Sequence, residues 1–378
     1  MKYYIIAGEA SGDLHGSNLI QELKKKDASA DFRCWGGDKM ETAGAKLVKH
    51  YRELAFMGFL EVIKNLRTIL KNIKTCKEDI LKYQPTAIIL IDYPGFNLRI
   101  AKWAKEQGIR VIYYISPQVW AWKENRVKLI KQCVDKMLVI LPFEKEFYKK
   151  WDYEVEYVGH PLVEEIDRFS FLVEHNEPLA TNNEKQETGI IALLPGSRQQ
   201  EILKKLPIML EVTKYFPDYR FVVAKAPGLD ESFYESLLAP YKNVSSVVDK
   251  TYDLLVRSKA ALVTSGTATL ETALFGVPEV ICYKGGSISY QIAKRLIKIK
   301  FIGLVNLIMD KEVVKELIQD ELTAENLKRE LNLLLTDKRK QQQLKEDYAV
   351  LKDLLSKGGH ASANAAASIH SYLIRLSQ

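Results

Sequence analysis

Two loops in the second half of the sequence carry the residue types that bind phosphate groups. Pro195–Arg198 and Ser265–Thr267 each follow an apolar run and precede a helical pattern. Glycine lets the backbone approach a ligand, the start of a helix offers free N–H donors, and Arg198 can hold a phosphate with two hydrogen bonds. Glu271 lies one turn into the second helix, where a carboxylate can accept hydrogen bonds from two ribose hydroxyls. The two loops predict a nucleotide site, with an ordinary capped turn and an exposed helical glutamate as the alternatives.

A carboxylate follows an apolar run in the first half of the sequence. Asp92 comes directly after Ala87–Ile91 and stands two residues before Pro94. At the end of a strand this carboxylate can serve as a general base, and an Asx turn before the proline is the alternative. The sequence has no D-x-D pair and no H-E-x-x-H motif. It therefore favours neither metal-dependent chemistry nor a bound cofactor.

A glycine-containing loop, Gly8–Gly16, lies near the N-terminus. Its glycines are spaced G-x3-G-x3-G, which differs from the G-x-G-x-x-G fingerprint of dinucleotide sites. The loop joins a predicted strand to a predicted helix, where open α/β sheets bind ligands. A tight turn with Ser11 or Asp13 as the helix cap is the alternative. For His15 and His160, each isolated in the sequence, a structural role is favoured over catalysis.

The segment Phe56–Lys74 has apolar residues at helical spacing beside a row of lysine and arginine residues. A basic amphipathic helix of this kind can lie in a membrane interface. A core-packed helix with a solvated basic face is the alternative. The residues predicted to contact the membrane are Phe59, Ile63, Lys64, Leu66, Arg67, Leu70 and Lys71.

The elements that must position these residues alternate between strand and helix. Short, continuously apolar, β-branched runs separated by helical stretches are typical of strands buried on both faces of a parallel sheet. The predicted strands are Tyr3–Ala7, Ala87–Ile91, Val111–Ile115, Met137–Leu141, Ile190–Leu194, Phe221–Ala224, Val244–Val248, Ala260–Thr264 and Glu279–Tyr283. A polar, turn-rich stretch separates the first four runs from the rest, and after about Thr323 the pattern is helical. The sequence predicts an α/β protein of two doubly wound, Rossmann-like domains that face a cleft.

Length and composition agree with such a protein. The chain has 378 residues, enough for roughly two or three domains. Hydrophobic residues make up 47% and charged residues 27%, which excludes a disordered or low-complexity chain. The four cysteines form no C-x-x-C pair and are expected to be reduced thiols of a cytoplasmic protein. The formal charge of +7 allows an anionic partner but does not favour nucleic acid.

Eight motifs occur in order along the chain: GEASGDLHG, MGFLEV, IDYPGFN, SPQVWAW, LPFEKEFY, GHP, LPGSRQQEI and SGTATLE. In this series the sequence closely resembles the lipid-A-disaccharide synthases, inverting glycosyltransferases of the GT-B type. The resemblance implies transfer of a diacylglucosamine from UDP to the 6-hydroxyl of a diacylglucosamine 1-phosphate. The products are a β-1,6-linked disaccharide 1-phosphate and UDP, formed without a metal. It also implies peripheral association with the anionic, cytoplasmic face of the inner membrane, and it allows a homodimer.

The resemblance assigns roles residue by residue. Asp92 and Arg198 match the family's essential aspartate and arginine, and many members have a second aspartate where this chain has Gly95. The predicted UDP-sugar site consists of Gly196, Ser197, Arg198, Ser265, Gly266, Thr267, Glu271 and Asn306. The predicted acceptor side consists of Glu9, Ser11, Gly12, Met57, Gly58 and Asn97.

The resemblance also suggests a domain plan. Residues 1–168 form an acceptor- and membrane-facing domain, 169–189 a linker, 190–345 a UDP-sugar-binding domain, and 346–378 helices that return to the first domain. The rival functions are a UDP-sugar epimerase or peptidoglycan-type transferase of the same fold, an NAD-dependent oxidoreductase, and a non-catalytic adaptor at the membrane surface. The oxidoreductase would require the missing G-x-G-x-x-G motif.

Overall fold

A computed structural model describes residues 1–54, 66–175, 189–226, 229–286 and 300–377. These residues form two compact units. The first unit combines Met1–Pro161 with Leu355–Gln378, and the second comprises Leu162–Leu354.

The first unit is built on a parallel sheet of seven strands in the order β3-β2-β1-β4-β5-β6-β7. The strands are β1 Lys2–Ala7, β2 Asp31–Gly36, β3 Lys46–His50, β4 Ala87–Ile91, β5 Arg110–Tyr114, β6 Lys136–Val139 and β7 Glu156–Tyr157. Every residue of β4 is buried, as expected for a strand covered on both faces. The direction of strand order reverses between β1 and β4, so the loops after these two strands meet at the point where such sheets bind ligands.

Helices flank this sheet on both sides. In the described part of the chain before Pro161 they are α1 Ala10–Lys26, α2 Asp38–Thr42, α3 Leu66–Tyr83, α4 Pro94–Glu106, α5 Val119–Trp122, α6 Arg126–Cys133 and α7 Glu144–Lys149. Helix α1 begins at Ala10 with Glu9 as its N-cap residue. The alternative interpretation, in which Ser11 or Asp13 caps this helix, is therefore wrong, because both residues lie inside it.

The second unit repeats the design with six parallel strands in the order β10-β9-β8-β11-β12-β13. The strands are β8 Ile190–Leu194, β9 Arg220–Lys225, β10 Val244–Val248, β11 Ser258–Thr264, β12 Glu279–Tyr283 and β13 Lys315–Ile318. The described helices are α8 Pro161–His175, α9 Gln199–Val212, α10 Glu231–Leu238, α11 Thr251–Arg257, α12 Thr267–Leu274, α13 Leu304–Met309, α14 Ala324–Thr336 and α15 Lys338–Ser356. The loops after β8 and β11 meet at this sheet's own reversal point.

The last helix, α16 Ala361–Ser377, belongs to the first unit. Ala365 and Ile369 are fully buried in the same apolar cluster as Leu19 and Ile20 of α1. The backbone at Gly159, whose φ is +97°, lies close to the backbone that precedes α16. A Cβ on Gly159 would lie 2.8 Å from the carbonyl oxygen of Gly359. Glycine at both positions therefore lets the returning segment pack against the end of the first sheet.

All nine predicted strands are present to within two residues, and the doubly wound arrangement of each unit is confirmed. Four strands were not predicted: β2, β3, β7 and β13. Their sequences are short or mix charged and apolar residues, as in KLVKH for β3, where no residue is fully buried. Such strands lack the continuous apolar run of a buried strand.

The unit boundaries differ from the predicted ones. Residues 162–168 and 346–354 group with the second unit. Helix α8 occupies the first seven residues of the predicted linker. It groups with the second unit because the Phe169 ring packs edge-on against the rings of Tyr252 and Phe275. The rest of the predicted linker, 176–188, lies outside the described residues. In the described ranges no helix is long and apolar enough to cross a membrane.

Candidate active site

Strained backbone presents Asp92 at the end of β4. Asp92 has φ +41° and Tyr93 has φ +49°, so two consecutive non-glycine residues are left-handed. The N–H of Asp92 donates to the carbonyl of Ile115, which is itself left-handed at φ +64°. Such conformations are costly and persist only where the surroundings enforce them. Their clustering at a sheet's reversal point indicates a functional site.

Two buried side chains enforce this conformation. The amide nitrogen of Asn97 donates to the carbonyl oxygens of Ile91 at 3.1 Å and Asp92 at 2.8 Å. The hydroxyl of Tyr113 donates to the same Asp92 oxygen at 2.5 Å. The contact of Asn97 with the acceptor stays a prediction, and the residue is fully buried. It holds the loop that carries Asp92.

Asp92 as a residue is exposed, but protein atoms partly desolvate its carboxyl group. Desolvation, and after it the charge of Glu9, raises the pKa of Asp92 to about 7. A carboxyl group with this pKa is close to ideal for a general base at neutral pH. The structure therefore brings together two of the predicted residues, Glu9 and Asp92, from loops that are distant in sequence.

The loop after β1 packs closely against the loop after β4. A Cβ on Gly8 would lie 2.3 Å from the ring of Tyr93, so only glycine fits there. Ser11 is exposed at the start of α1 and is available to a ligand. Gly12 is buried, and a Cβ there would come 3.0 Å from the Cβ of Ala7. Gly12 thus allows helix and strand to pack closely, and its contact with the acceptor stays a prediction.

Asp13 has a structural role that its sequence context did not reveal. Its carboxylate accepts hydrogen bonds from the N–H groups of Gly37 at 2.7 Å, Lys39 at 3.1 Å and Met40 at 3.1 Å. Asp13 therefore caps the neighbouring helix α2 and ties it to α1.

Burial lowers the pKa of two histidines in the first unit, to about 4 for His15 and about 3 for His160. Lys39 adds to the effect on His15, and His15 adds to the effect on His160. Both imidazoles are therefore neutral at physiological pH, in keeping with the structural role favoured from the sequence.

In the second unit, the loop after β8 presents Arg198 at the start of α9. Gly196 is left-handed at φ +110°, which suits glycine. Ser197 and Arg198 are exposed, and the guanidinium lies 3.2 Å from the carboxylate of Glu201. The loop thus offers exposed donors, as predicted for a phosphate-binding turn.

The loop after β11 leads into α12 with an open N-terminus. Gly266 is the N-cap residue, Gly266 and Thr267 are exposed, and a Cβ on Gly266 would meet nothing within 4 Å. Ser265 donates its hydroxyl to the carbonyl of Ile302 at 3.1 Å, which fixes the loop. The start of a helix has N–H groups without intrahelical partners and a partial positive charge, so this open N-terminus suits an anion.

Glu271 lies on the same helix and interacts with Tyr252. Desolvation raises the pKa of Glu271 to about 7, and a hydrogen bond from the Tyr252 hydroxyl opposes that rise. The Tyr252 ring is held by Phe169 and Phe275. Tyr252 thus orients the carboxylate that is predicted to bind ribose, a contact no local motif indicated.

Asn306 is fully buried, and its contact with the donor stays a prediction. Its oxygen accepts from the N–H groups of Val313 and Val314, and its nitrogen donates to Val314 and Glu316. These four bonds use the whole hydrogen-bonding capacity of the amide. The Asn306 side chain therefore shapes the fold around α13.

Only part of the predicted membrane segment can be described. Met57, Gly58, Phe59, Ile63 and Lys64 lie outside the described residues, and α3 begins at Leu66. Arg67, Leu70 and Lys71 are exposed on α3, Leu70 with 55% of its surface. Ile73 is buried in the core. The helix therefore packs one face inward and presents basic residues and two leucines, Leu70 and Leu81, to solvent.

The comparisons with known proteins agree with the geometry. The family described as lipid-A-disaccharide synthetase matches residues 3–370. A lipid-A-disaccharide synthase of Geobacter metallireducens is 41% identical over 360 residues, covering 94% of this chain and 93% of that protein. One from Coxiella burnetii is 37% identical over 373 residues, covering 98% of both.

Solved structures with low sequence identity share the fold. A UDP-GlcNAc 2-epimerase from Neisseria meningitidis superimposes with a TM-score of 0.62 at 14% identity, covering 94% of this chain and 100% of that one. A calicheamicin glycosyltransferase gives a TM-score of 0.63 at 16% identity, covering 100% and 99%. These similarities confirm the predicted GT-B type of fold.

Proposed function

Because the chain belongs to the lipid-A-disaccharide synthetase family, we propose that it joins two acylated glucosamines. The donor is UDP-2,3-diacylglucosamine and the acceptor is 2,3-diacylglucosamine 1-phosphate. The product is the β-1,6-linked disaccharide 1-phosphate, released together with UDP. The observation that carries the proposal is Asp92, held in strained backbone at the reversal point of the first sheet with a pKa near 7.

In the proposed reaction Asp92 is the general base. Its carboxylate takes the proton of the acceptor's 6-hydroxyl while that oxygen bonds to the anomeric carbon of the donor. The bond from the anomeric carbon to the diphosphate breaks, and UDP leaves with the electron pair. One displacement of this kind inverts the configuration from α to β. Glu9 and the exposed Ser11 complete the acceptor side, and Met57 and Gly58 remain predicted members of it.

The second unit is proposed to bind the donor. The diphosphate is held by two loops. One contributes Gly196, Ser197 and Arg198, and the other is the N-terminus of α12 at Ser265, Gly266 and Thr267. Preorganised donors at this position stabilise the negative charge that develops on the leaving group without a metal ion. The carboxylate of Glu271, oriented by Tyr252, accepts hydrogen bonds from the ribose hydroxyls.

The acceptor and donor both carry acyl chains, so the enzyme must meet them at a lipid surface. We propose peripheral docking to the anionic, cytoplasmic face of the inner membrane through Phe56–Lys74. The exposed Arg67, Leu70 and Lys71 support this part of the proposal. A homodimer remains a prediction.

Product analysis tests the proposed function. The purified chain is incubated with the UDP-diacylglucosamine donor and the lipid acceptor in mixed micelles, and products are identified by mass spectrometry and by the anomeric coupling in NMR. We expect a β-linked disaccharide 1-phosphate and one UDP per disaccharide. Conversion of the donor to its sugar epimer without consumption of acceptor would overturn the proposal and favour the epimerase alternative.

A further inference from the structure

A buried lysine lies beneath the loop that follows β8. Lys205 is on α9, and only 3% of its side chain is exposed. A Cβ on Gly196 would lie 3.7 Å from its ammonium nitrogen, so the charge sits directly against the loop backbone. Lysines are rarely buried unless they are paired. Nothing in the loop motif itself pointed to this residue.

Glu201 is shared between this lysine and Arg198. Its Oε1 lies 3.2 Å from the guanidinium of Arg198, and its Oε2 lies 3.6 Å from the ammonium of Lys205. The three residues are spaced i, i+3 and i+7, which places them on one side of the helix start. The carboxylate of Glu201 is therefore shared by two positively charged side chains beside the loop.

The two cations differ in their freedom to move. Arg198 is half exposed at the N-cap position, whereas Lys205 is enclosed. If Arg198 turns toward a ligand, Glu201 keeps Lys205 as its counter-ion and no carboxylate is left unpaired. Thr264, also buried against Gly196, has a hydroxyl with no hydrogen-bond partner among the described residues. The space around Gly196 thus holds the unused Thr264 hydroxyl as well as the buried ammonium group of Lys205.

We propose that Lys205 is a second cation of the donor site. It keeps Glu201 neutralised so that Arg198 is free to bind the diphosphate, and its own charge stabilises the anion on the loop above it. The inference rests on the proposed UDP-sugar donor and extends it to a residue that acts through its neighbours. Burial lowers the pKa of Lys205 and the nearby Glu201 opposes that shift, so the ion pair favours the charged amine.

The test compares ligands that differ only in phosphate. Titration calorimetry measures the binding of UDP, UMP and uridine to wild type, Lys205→Met and Lys204→Met. We expect Lys205→Met to weaken UDP binding about tenfold or more, as for a unit charge several ångströms away at a protein-like dielectric constant. Uridine binding should not change. Lys204 is exposed on the same helix, so its variant removes the same net charge and should leave all three affinities within about twofold.

Glu201→Gln provides the opposite arm. Glu201 competes with the diphosphate for Arg198. Replacing its carboxylate by the uncharged amide of glutamine should therefore strengthen UDP binding severalfold. A merely structural role of the cluster would weaken UDP and uridine together in both variants, and that result would overturn the inference. So would equal loss in the Lys204 and Lys205 variants. If the wild type binds UDP no more tightly than uridine, the proposed UDP-sugar donor is wrong. That result would refute the proposed function and not the role of Lys205. If the Lys205→Met variant does not fold, the Glu201→Gln variant still tests the inference. UDP binding by that variant that is unchanged or weaker than in the wild type would refute it.

Discussion

The charge of Glu9 raises the pKa of Asp92, although 83 positions separate the two residues in the chain. They meet because β1 and β4 are neighbours in the first sheet and their loops leave it at the same edge. Gly95 leaves Asp92 as the only carboxylate in its own motif, and a Cβ at position 95 would meet nothing within 4 Å. The neighbouring carboxylate is instead supplied by another loop. Glu9 therefore tunes the basicity of the proposed base.

The first prediction concerns Asp92 as the base. Asp92→Asn keeps the shape and removes basicity, so kcat should fall about 10²-fold or more. In the wild type, kcat/KM should rise about tenfold per pH unit up to a midpoint near 7 and then level off, because only the carboxylate accepts the proton. Steady-state kinetics between pH 5 and 9 check both expectations.

Glu9→Gln serves as the comparison for this pH profile. Removing the neighbouring charge should move the midpoint to lower pH, since that charge is one cause of the raised pKa. Near-normal kcat in Asp92→Asn would exclude the base assignment. An effect confined to KM would make Asp92 an acceptor-binding residue.

The second prediction concerns Arg198. Arg198→Ala should cost about 2–4 kcal/mol of transition-state stabilisation, as removal of one preorganised donor does. Arg198→Lys should recover only part of this, because lysine lacks the planar fork. The free energy of unfolding should change by less than about 1 kcal/mol, since the pair with Glu201 is exposed. Wild-type activity that disappears in EDTA would contradict the metal-free role assigned to Arg198.

Sequence patterns predicted the inner strands well, but they did not show which polar residues are buried. Strands such as Ala87–Ile91 are continuous apolar runs, so their burial is visible locally. Asn97 and Asn306 were predicted to bind substrate, yet both amides are buried and bond to backbone carbonyl or N–H groups. Whether an amide faces a ligand or the fold depends on residues brought near it by the tertiary structure. Tyr113 lies within an ordinary apolar strand, and no local signal marks its bond to Asp92.

The third prediction concerns Glu271 and pH. Its pKa near 7 means that acid protonates the group proposed to accept the ribose hydroxyls. UDP binding measured by calorimetry should therefore weaken as the pH falls from 8 to 6. Glu271→Gln should reduce UDP affinity about tenfold at pH 8, as loss of a charged hydrogen bond does, and should flatten this pH dependence.

Tyr252→Phe separates this effect from other titrations. Its hydroxyl lowers the pKa of Glu271, so its removal should move the midpoint of UDP binding to higher pH. The ring and its aromatic contacts remain, which keeps the fold intact. A midpoint that does not move in Tyr252→Phe, or a pH dependence that persists in Glu271→Gln, would exclude Glu271 as the titrating group.

The fourth prediction concerns membrane docking. Binding to vesicles that contain anionic lipid should weaken at high salt, because each basic residue contributes about 1 kcal/mol and the Debye length is only about 8 Å at physiological ionic strength. Phe59→Ser with Ile63→Ser, and separately Leu70→Ser, should reduce sedimentation with vesicles and leave UDP affinity unchanged. Leu81→Ser is the matched control, because Leu81 is 49% exposed on α3 but lies beyond the predicted segment.

Two results would decide against docking through this segment. If the serine variants at positions 59 and 63 unfold the chain, those residues belong to the core. If Leu81→Ser reduces vesicle binding as much as Leu70→Ser, the contact is a general property of exposed leucines on α3.

The last prediction concerns Glu279, a fully buried carboxyl at the start of β12 with neither oxygen hydrogen-bonded among the described residues. Burial raises its pKa well above the ordinary value, so the folded state holds a proton that the unfolded state releases as the pH rises. Above about pH 5 the free energy of unfolding should therefore fall with pH, by at most about 1.4 kcal/mol per pH unit from this group. Glu279→Gln removes the titration, so urea unfolding should show the variant gaining stability over the wild type between pH 5 and 8.

Glu316→Gln is the control for this prediction. Glu316 is also buried, but it accepts hydrogen bonds from the N–H groups of Ile302 and Gly303, so its neutralisation should destabilise the protein. A stability difference between wild type and Glu279→Gln that does not change with pH would show that Glu279 has the same charge in both states.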